Sequence, residues 1–292
     1  MILVVGATGQ LGGLITRHLL QRGEGVRVLV RQGASPGDAI AAGAHRVAGD
    51  LKDRASLRSA CEGVDTVITT ANATARGGPD TLESVDRDGN VNLIEVAETA
   101  GVRRFLFISA LGADPGHPLP LLSAKGVAER RLRSTGMAWI VFQPNVFMDK
   151  LIPLVVGAPA LAGDPVTLVG AGDRRHSFVA MRDVAAYVVG ALDHEESSGR
   201  TLVIGGPQPV SWRDVVTCFE TELGRTLPMR TVSPQDPPPD MPAFLIDLLT
   251  ALDGYDSPLD MNELQAAYGV EPTPLAAYVR SFLRSARPLP TG

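Results

Sequence analysis

The sequence predicts an α/β protein with a doubly wound parallel sheet. Through the first half of the chain, short apolar segments alternate with longer amphipathic segments, as they do in repeated βαβ units. The short segments show little polar alternation, which indicates strands that are covered by helices on both faces of the sheet. With 292 residues, of which 45% are hydrophobic, the chain has enough apolar material for a large core.

The strands and crossover helices follow from local periodicity. The predicted strands are Ile2–Val5, Val26–Val30, His45–Ala48, Thr66–Thr70, Phe105–Ile108, Trp139–Phe142, His176–Ala180 and Leu202–Ile204. Apolar residues recur at helical spacing after the first strand and again between about residues 80 and 100. Both segments are therefore predicted to be helices that connect parallel strands.

Capping residues predict where several helices begin. Asp53 is predicted as the N-cap of the helix that follows the third strand. Asp183 is predicted to cap a helix over Val184–Leu192. Ser211 and Asp214 resemble a capping box, which would begin a helix that ends near residue 223.

The regular alternation weakens after residue 142, which predicts a second and smaller lobe. Four prolines interrupt residues 144–165, whereas a strand, a helix and a further strand are predicted between 176 and 206. We therefore expect residues 1–150 to form the sheet-containing core and residues 176–206 to return to it. Residues 151–292 are expected to form the smaller lobe.

Charge and cysteine content argue against several functional classes. Lys and Arg total 27 against 32 Asp and Glu, so the net charge of −5 provides no basic field for nucleic acid or an anionic membrane. Two cysteines cannot form a disulfide framework, and the five histidines lack metal-ligand spacing, so no metal is expected. Because no secretory signal opens the chain and no apolar run reaches the ~20 residues of a transmembrane helix, we expect a cytoplasmic protein. The sequence leaves monomer and dimer open.

The most informative segment is the glycine-rich turn Gly6-Ala7-Thr8-Gly9-Gln10-Leu11-Gly12, between an apolar strand and an amphipathic helix. Unpaired N–H groups at a helix N-terminus bind pyrophosphate, and side chains at the glycine positions would obstruct its approach. The strand–turn–helix context favours a dinucleotide-binding turn over an ordinary tight turn. The candidate cofactor-binding residues here are Gly6, Thr8, Gly9, Gln10, Leu11 and Gly12.

This form of the motif, with glycines at three-residue steps, resembles the extended and atypical short-chain dehydrogenase/reductase superfamily, especially its NmrA-like branch. The resemblance covers most of the first 206 residues, with matches at Gly49-Asp50-Leu51, Thr70-Ala71-Asn72, Ser109, Lys125, Pro144-Asn145 and Arg182-Asp183-Val184-Ala185. It implies a Rossmann fold that binds NAD(P), with the substrate between the sheet's carboxyl edge and the smaller C-terminal lobe.

The resemblance also implies roles for residues along the cofactor. Asp50 and Leu51 would hold the adenine, although Asp50 taken alone equally fits a turn or a cap. The further cofactor-binding candidates are Ala71, Asn72, Lys125, Pro144, Asn145 and Phe147. An Asn at position 145 can bond the carboxamide or the substrate, and Phe147 can form an apolar wall or belong to the core.

The residue after the second strand indicates which dinucleotide is preferred. NAD-selective sites carry an acid there, about 20 residues beyond the glycine motif, that binds the ribose 2′-hydroxyl. This chain has Arg31 instead, and a guanidinium suits the 2′-phosphate of NADP. NADPH is therefore predicted over NADH, and the alternative is that Arg31 is a solvated residue at a strand end.

The usual catalytic acid is missing. Typical members of the superfamily carry Tyr-x-x-x-Lys on the helix after the fifth strand, and this chain has Leu121 four residues before Lys125. The resemblance implies that Lys125 holds the nicotinamide ribose and that Ser109 lies near the active site. His117 is the best substitute proton donor because histidine titrates near neutrality, with His176 and Tyr187 as weaker candidates. Each of these residues also fits an ordinary structural or surface position.

Loss of the acid does not forbid hydride transfer. Holding C4 of the nicotinamide near an electrophilic carbon, with water excluded, lowers the barrier by up to about 7–11 kcal/mol. The sequence therefore favours an NADPH-dependent reductase of a small molecule that stabilises its own negative charge, such as a quinone, an azo dye or a cationic conjugated dye. Two alternatives stay open: a non-catalytic NADP-sensing regulator of the NmrA-like kind, and an isomerase, cyclase or dehydratase on the same scaffold.

Overall fold

The computed structural model describes residues 1–33, 43–73, 78–236, 238–239 and 241–286 and contains two sheets. Its strands are β1 (Ile2–Val5), β2 (Val26–Val30), β3 (His45–Ala48), β4 (Thr66–Thr69), β5 (Arg104–Ile108), β6 (Ala138–Pro144), β7 (Val166–Val169), β8 (Arg200–Ile204) and β9 (Met229–Val232). The main sheet has the order β3-β2-β1-β4-β5-β6-β8, and strands β1 to β6 pair in parallel. The predicted α/β fold is confirmed, and the strand order reverses between β1 and β4, where such sheets bind ligands.

Helices connect these strands. They are α1 (Gln10–Gln21), α2 (Arg54–Cys61), α3 (Asp88–Thr99), α4 (Pro120–Arg133), α5 (Met148–Ile152), α6 (Ala158–Ala162), α7 (Met181–Gly190), α8 (Trp212–Leu223), α9 (Ala243–Asp253), α10 (Asn262–Tyr268) and α11 (Leu275–Ala286). Two π-helical turns, Leu82–Arg87 and Pro153–Gly157, precede α3 and α6. Within the described part of the chain, none of the helices combines the length and apolar character needed to cross a bilayer.

The chain divides into two units that each draw on two segments. The first unit comprises Met1–Pro144 with Val184–Val203, and the second comprises Asn145–Asp183 with the chain from Ile204 onward. The first boundary therefore falls slightly before the predicted 150/151, and the returning segment is shorter than the predicted 176–206.

The returning segment is shorter because residues 176–180 do not form the predicted strand. His176 makes isolated bridges to Val210 and Ser257, and Val179 pairs with Phe147 in the same way. All of these partners belong to the second unit, so the backbone hydrogen bonds of residues 176–180 are made there. An apolar segment of strand-like composition is thus used as an irregular connection in the core of the second unit.

The main sheet is buried on both faces, because the successive residues Phe105, Leu106 and Phe107 of β5 are all fully buried. Phe105 and Phe107 of β5 are fully buried, as are Leu57 of α2 and Leu93 of α3. These side chains belong to one apolar cluster, which reaches Leu132 of α4. The strands lack polar alternation because helices cover the sheet, as the sequence predicted.

The second unit has its own core around aromatic side chains. The ring of Phe178 meets that of Trp212 edge to face at 5.1 Å, and Phe219 meets Phe282 at 5.9 Å. Strands β7 and β9 form a parallel pair beside this cluster. The unit therefore holds a separate two-stranded sheet and an apolar cluster that includes α8 and α11.

The helix starts match the sequence in part. Asp53 accepts a hydrogen bond from Ala55 N, and Ser211 with Asp214 forms a reciprocal capping box, so both predicted caps are confirmed. The prediction for Asp183 was wrong, because α7 begins at Met181 and Asp183 lies inside its first turn. Its carboxylate instead accepts hydrogen bonds from the backbone and the hydroxyl of Thr273.

Both cysteines are free thiols on helices. Cys61 is buried at the end of α2, and Cys218 is half-buried on α8. Burial raises the pKa of Cys61 to about 11, so its thiol stays protonated at neutral pH.

His176 is a buried histidine with a defined tautomer. Its Nε2 lies 3.0 Å from the carbonyl oxygen of Leu252, which can only accept, so Nε2 carries the proton. Its Nδ1 then accepts from the Ser257 hydroxyl at 2.7 Å. Burial lowers the pKa of His176, and the Leu252 carbonyl and the charge of Asp256 oppose that shift. The unfolded chain therefore binds a proton at this site more readily than the folded protein does.

We expect the free energy of unfolding to decrease as the pH falls from about 7 to about 5, because His176 must be protonated against its burial. The contribution is fully present above the ordinary histidine pKa and is lost as the pH drops below it. Chemical denaturation at a series of pH values would measure the slope. His176→Gln should flatten it, whereas the control His45→Gln, at an exposed position on β3, should not. Equal slopes for wild type and His176→Gln would contradict this assignment.

Candidate functional site

The turn between β1 and α1 is packed too tightly for side chains. Gly6 has a φ of 91°, and a Cβ placed there would lie 2.5 Å from Thr70 Oγ1. A Cβ on Gly12 would lie 2.2 Å from the carbonyl oxygen of Gly6. Gly9 N donates to that same oxygen at 3.0 Å, which closes the turn. The glycines at positions 6 and 12 are therefore required by the close approach of backbone to backbone.

The same turn presents the N-terminus of α1. Its N-cap Gly9 provides no side-chain capping bond, and the first turn contains no acid. Thr8, Gly9 and Gln10 are exposed, whereas Ala7 and Leu11 are buried. Backbone donors and the positive end of the helix dipole are thus available to an anion, and the arrangement fits a dinucleotide pyrophosphate.

Charged groups gather where β2 and β3 end. Arg31 Nη1 and Lys52 Nζ each lie 2.6 Å from a different oxygen of Asp80. The hydrogen bond to Asp80 raises the pKa of Lys52. Asp50 Oδ1 accepts from Lys52 N at 2.8 Å, so Asp50 also shapes the turn, and Leu51 is buried. Arg31 is therefore an ion-paired residue rather than a freely solvated one.

A buried ion pair lies beneath the end of β4. Lys125 Nζ is 3.2 Å from Asp86 Oδ1, and the two side chains are 5% and 0% exposed. The contact is ionic without hydrogen-bond geometry, so Asp86 Oδ1 has no hydrogen-bond partner among the described residues. Asp86 Oδ2 accepts from Ala73 N at 2.8 Å. The π-helical turn Leu82–Arg87 carries Asp86 to this position.

Ala71 connects the ion pair to the edge of the sheet. Its carbonyl oxygen accepts from Lys125 Nζ at 3.1 Å and from Asn90 Nδ2 at 3.4 Å. Ala71 is buried, whereas the next residue, Asn72, is exposed. Lys125 also lies 3.5 Å from the carbonyl oxygen of Ile108 and 5.1 Å from the ring centre of Phe107. The donors of Lys125 are thus directed at buried groups of the first unit.

Ser109 and His117 occupy different settings. Ser109 follows β5 and is buried, and its hydroxyl has no hydrogen-bond partner among the described residues. His117 lies in the loop before α4, and its Nδ1 accepts from Leu119 N at 3.0 Å, which leaves the proton on Nε2. Leu121, on the first turn of α4, has no group that can donate a proton.

Hydrogen bonds fix the backbone and side chains at the end of β6 and just after it. The carbonyl of Pro144 accepts from Leu111 N. Asn145 donates both amide hydrogens to Ser257, at 2.9 Å to its carbonyl and 3.0 Å to its hydroxyl. Phe147 is half-buried at the start of α5. Asn145 therefore has a structural use in the second unit, and its role beside a nicotinamide stays a prediction, as does that of Phe147.

Three charged residues were missed from the sequence: Lys52, Asp80 and Asp86. Asp86 carried a signal, because it stands beside Val85 on the buried face of a segment that continues to Leu93. An acid on an apolar face needs a buried partner. Asp80 and Lys52 carried none, since each is an ordinary polar residue in a loop. No group of three or more potential metal ligands occurs among the described residues.

A family model and several known proteins match most of this chain. The NAD(P)H-binding family model matches residues 6–195. NAD(P)H azoreductase of Xenophilus azovorans is 31% identical over 233 residues, which cover 80% of this chain and 77% of that protein. A photosystem II assembly factor of Trieres chinensis is 28% identical over 260 residues, covering 87% and 76%. The NADPH complex of a quinone oxidoreductase from Escherichia coli has a TM-score of 0.82 at 21% identity, covering 97% of this chain and 100% of that one.

We expect Asp86→Asn to destabilise the protein by about 3–5 kcal/mol, because it leaves the buried ammonium of Lys125 without a counter-charge. The control Asp88→Asn removes the same charge from an exposed pair with Arg87 and should cost under about 1 kcal/mol. Denaturant unfolding would measure both variants. The double variant Asp86→Leu/Lys125→Met should recover most of the loss, since neither charge is then buried. A loss for Asp86→Asn no larger than that of the control would refute the ion-pair assignment.

Proposed function

Because this chain belongs to the NAD(P)H-binding family, we propose that it transfers a hydride from NADPH to a quinone-like or otherwise conjugated small-molecule acceptor. It is an NAD(P)H-dependent oxidoreductase of the NmrA-like, atypical short-chain dehydrogenase/reductase type, and the predicted resemblance is confirmed. The observation that carries the proposal is the side-chain-free turn of Gly6 and Gly12 at the uncapped start of α1.

The first unit supplies the proposed cofactor contacts. The pyrophosphate is assigned to the turn from Gly6 to Gly12, the 2′-phosphate to Arg31, the adenine to Asp50 and Leu51, and the nicotinamide half to Ala71, Asn72 and Lys125. In this arrangement the chief role of Lys125 is to position the backbone beside the cofactor. Its ammonium donates a hydrogen bond to the carbonyl of Ala71 and adds positive charge near the end of β4. Parallel strands end at the same edge of a sheet, which supports contacts from several strand ends to one ligand.

The acceptor class follows from what the chain lacks. When bound, NADPH supplies a hydride from C4 of its nicotinamide, which oxidises it to NADP⁺. Leu121 replaces the usual acid, so the acceptor must itself delocalise the charge that the hydride brings before it takes a proton from water or from a nearby donor. The hydroxyl of Ser109, which has no hydrogen-bond partner among the described residues, is suited to donate a hydrogen bond to an acceptor oxygen or nitrogen at the end of β5. His117, with a proton on Nε2, is a second donor.

The relatives support the same class of acceptor. The name of the Xenophilus protein indicates reduction of an azo compound, and that of the Escherichia coli structure indicates reduction of a quinone. Azo groups and quinones share a conjugated π-system that accepts a hydride and stabilises the resulting anion. Their common chemistry therefore supports a conjugated acceptor for this chain.

The proposal is tested by mixing the purified full-length protein with NADPH and a panel comprising a benzoquinone, an azo dye and a triphenylmethane dye. We expect one NADPH to be oxidised for every two electrons that the acceptor gains, as followed by absorbance. Gly12→Ala should lower the rate at least about tenfold, because its Cβ overlaps the Gly6 carbonyl and displaces the turn. The control Gly136→Ala, where a Cβ meets no atom within 4 Å, should retain the rate.

A second candidate function is NADP binding without reduction. It is favoured by the leucine at position 121 together with the photosystem II assembly factor among the relatives. Tight binding of NADPH with no oxidation by any member of the panel would support this alternative and overturn the reductase proposal. Product formation without net consumption of NADPH would instead indicate an isomerase or cyclase.

The proposed preference for NADPH makes a separate prediction. Arg31→Asp replaces a donor to the 2′-phosphate by a carboxylate that repels it and suits a 2′-hydroxyl. We expect the ratio of kcat/KM for NADPH over NADH to fall by about tenfold or more. Arg58→Asp, which changes an exposed residue of α2, is the control. An unchanged ratio for Arg31→Asp would remove the basis for preferring NADPH.

A further inference from the structure

Arg31 and Lys52 meet on one buried carboxylate. Arg31 Nη1 contacts Asp80 Oδ2 and Lys52 Nζ contacts Asp80 Oδ1, both at 2.6 Å. The Asp80 side chain is only 3% exposed, whereas those of Arg31 and Lys52 are 45% and 39% exposed. Asp80 therefore lies beneath two cations that face solvent.

The sheet topology explains why these residues converge. Arg31 follows β2, and Lys52 follows β3 after a short turn. The two strands are parallel neighbours, with Val30 opposite Ala48, so both chains leave the sheet at the same edge. The hydrogen bond from Lys52 N to Asp50 fixes the backbone of that turn. The two cations are thus positioned by the fold as well as by Asp80.

The ion pairs leave donors unused on the exposed side. Arg31 uses only Nη1 in the contacts found across the described residues, and a guanidinium has five N–H donors. Lys52 has three donors, of which one is directed at Asp80. The ion pairs with Asp80 already restrict the side chains of Arg31 and Lys52. Less conformational entropy is therefore lost when these side chains bind an anion.

We propose that Arg31 and Lys52 form a two-cation site for the 2′-phosphate of NADPH, in which Lys52 is a further specificity-determining residue. This inference rests on the proposed use of NADPH. A phosphate monoester carries a charge of about −1.5 to −2 and three acceptor oxygens, more than a single guanidinium matches. Arg31 supplies a planar fork and Lys52 a point charge, and both are complementary to phosphate oxygens.

The acids around Arg31 and Lys52 determine how the site distinguishes a 2′-phosphate from a 2′-hydroxyl. Asp50 lies 3.8 Å from Lys52 Nζ, so Asp50 and Asp80 together balance the two cations at long range. Recognition then depends on hydrogen bonds at contact distance rather than on a positive field, in keeping with the chain's net charge of −5. A 2′-hydroxyl gains little from these donors, whereas a 2′-phosphate engages both.

The test compares binding of adenosine 2′,5′-bisphosphate and adenosine 5′-monophosphate by calorimetry, because these probes differ only in the 2′-phosphate. For the full-length wild-type protein we expect the bisphosphate to bind more tightly. Lys52→Gln should reduce that advantage by about tenfold or more, and Lys52→Arg should retain most of it. Arg58→Gln removes the same charge from an exposed position on α2 without a contact to Asp80, and it should leave the advantage unchanged.

The outcomes separate this inference from the proposed function. If the wild-type protein binds both probes equally, the proposed preference for NADPH fails, and the inference about Lys52 fails with it. If the wild-type advantage is present and Arg31→Gln removes it but Lys52→Gln does not, only the role of Lys52 is overturned. Thermal unfolding of each variant identifies loss of fold. If Lys52→Gln does not fold, Lys52→Met takes its place, and the same loss of the advantage is expected because the ammonium is again removed. A loss of the advantage in Lys52→Arg as large as that expected for Lys52→Gln would contradict a site in which position 52 supplies a charged hydrogen-bond donor to the phosphate.

Discussion

The rest of the site depends on tight backbone packing in the turn between β1 and α1. Within this turn the backbone packs against itself, and it also packs against the residue that follows β4. Gly12 packs against the carbonyl of Gly6, and Gly6 packs against the side chain of Thr70. This contact holds the first turn of α1 against the sheet at the point where the strand order reverses. Because the helix begins without a capping side chain, its N–H groups stay available to the diphosphate that we propose binds at this turn.

The core of the first unit contains a buried ion pair and a buried hydroxyl. Lys125 and Asp86 are both buried, and desolvation of such a pair offsets much of its attraction. Contacts with Ala71 and Ala73 compensate in part and tie the ion pair to the chain that leaves β4. The pair therefore helps to fix the positions of Ala71 and Ala73. The hydroxyl of Ser109, which lacks a hydrogen-bond partner among the described residues, adds a second polar group in the same unit. Departures from good packing of this kind are typical of functional sites.

Local patterns predicted most of the main sheet, and contacts distant in sequence account for the errors. The bounds of β1, β2 and β3 match the prediction. β1 and β2 are largely apolar and β-branched segments between turn signals, which is why their bounds were predictable. Residues 176–180 have strand-like composition, but their backbone partners lie on segments whose position no local pattern reveals. Arg31 could be found because its place after β2 is fixed by the motif spacing, whereas Asp80 and Lys52 become significant only through the chain's path in space.

The two units alternate along the chain, which affects folding during synthesis. The first unit needs Val184–Val203, which are synthesised only after Asn145–Asp183 of the second unit. Until β8 has left the ribosome, the edge of β6 that it covers has no partner, and an exposed parallel edge of apolar residues is prone to pair with other chains. Cutting the gene near codon 150 would make that transient state permanent. An autonomous nucleotide-binding fragment would therefore have to be built by joining the two segments with a new linker, not by truncation.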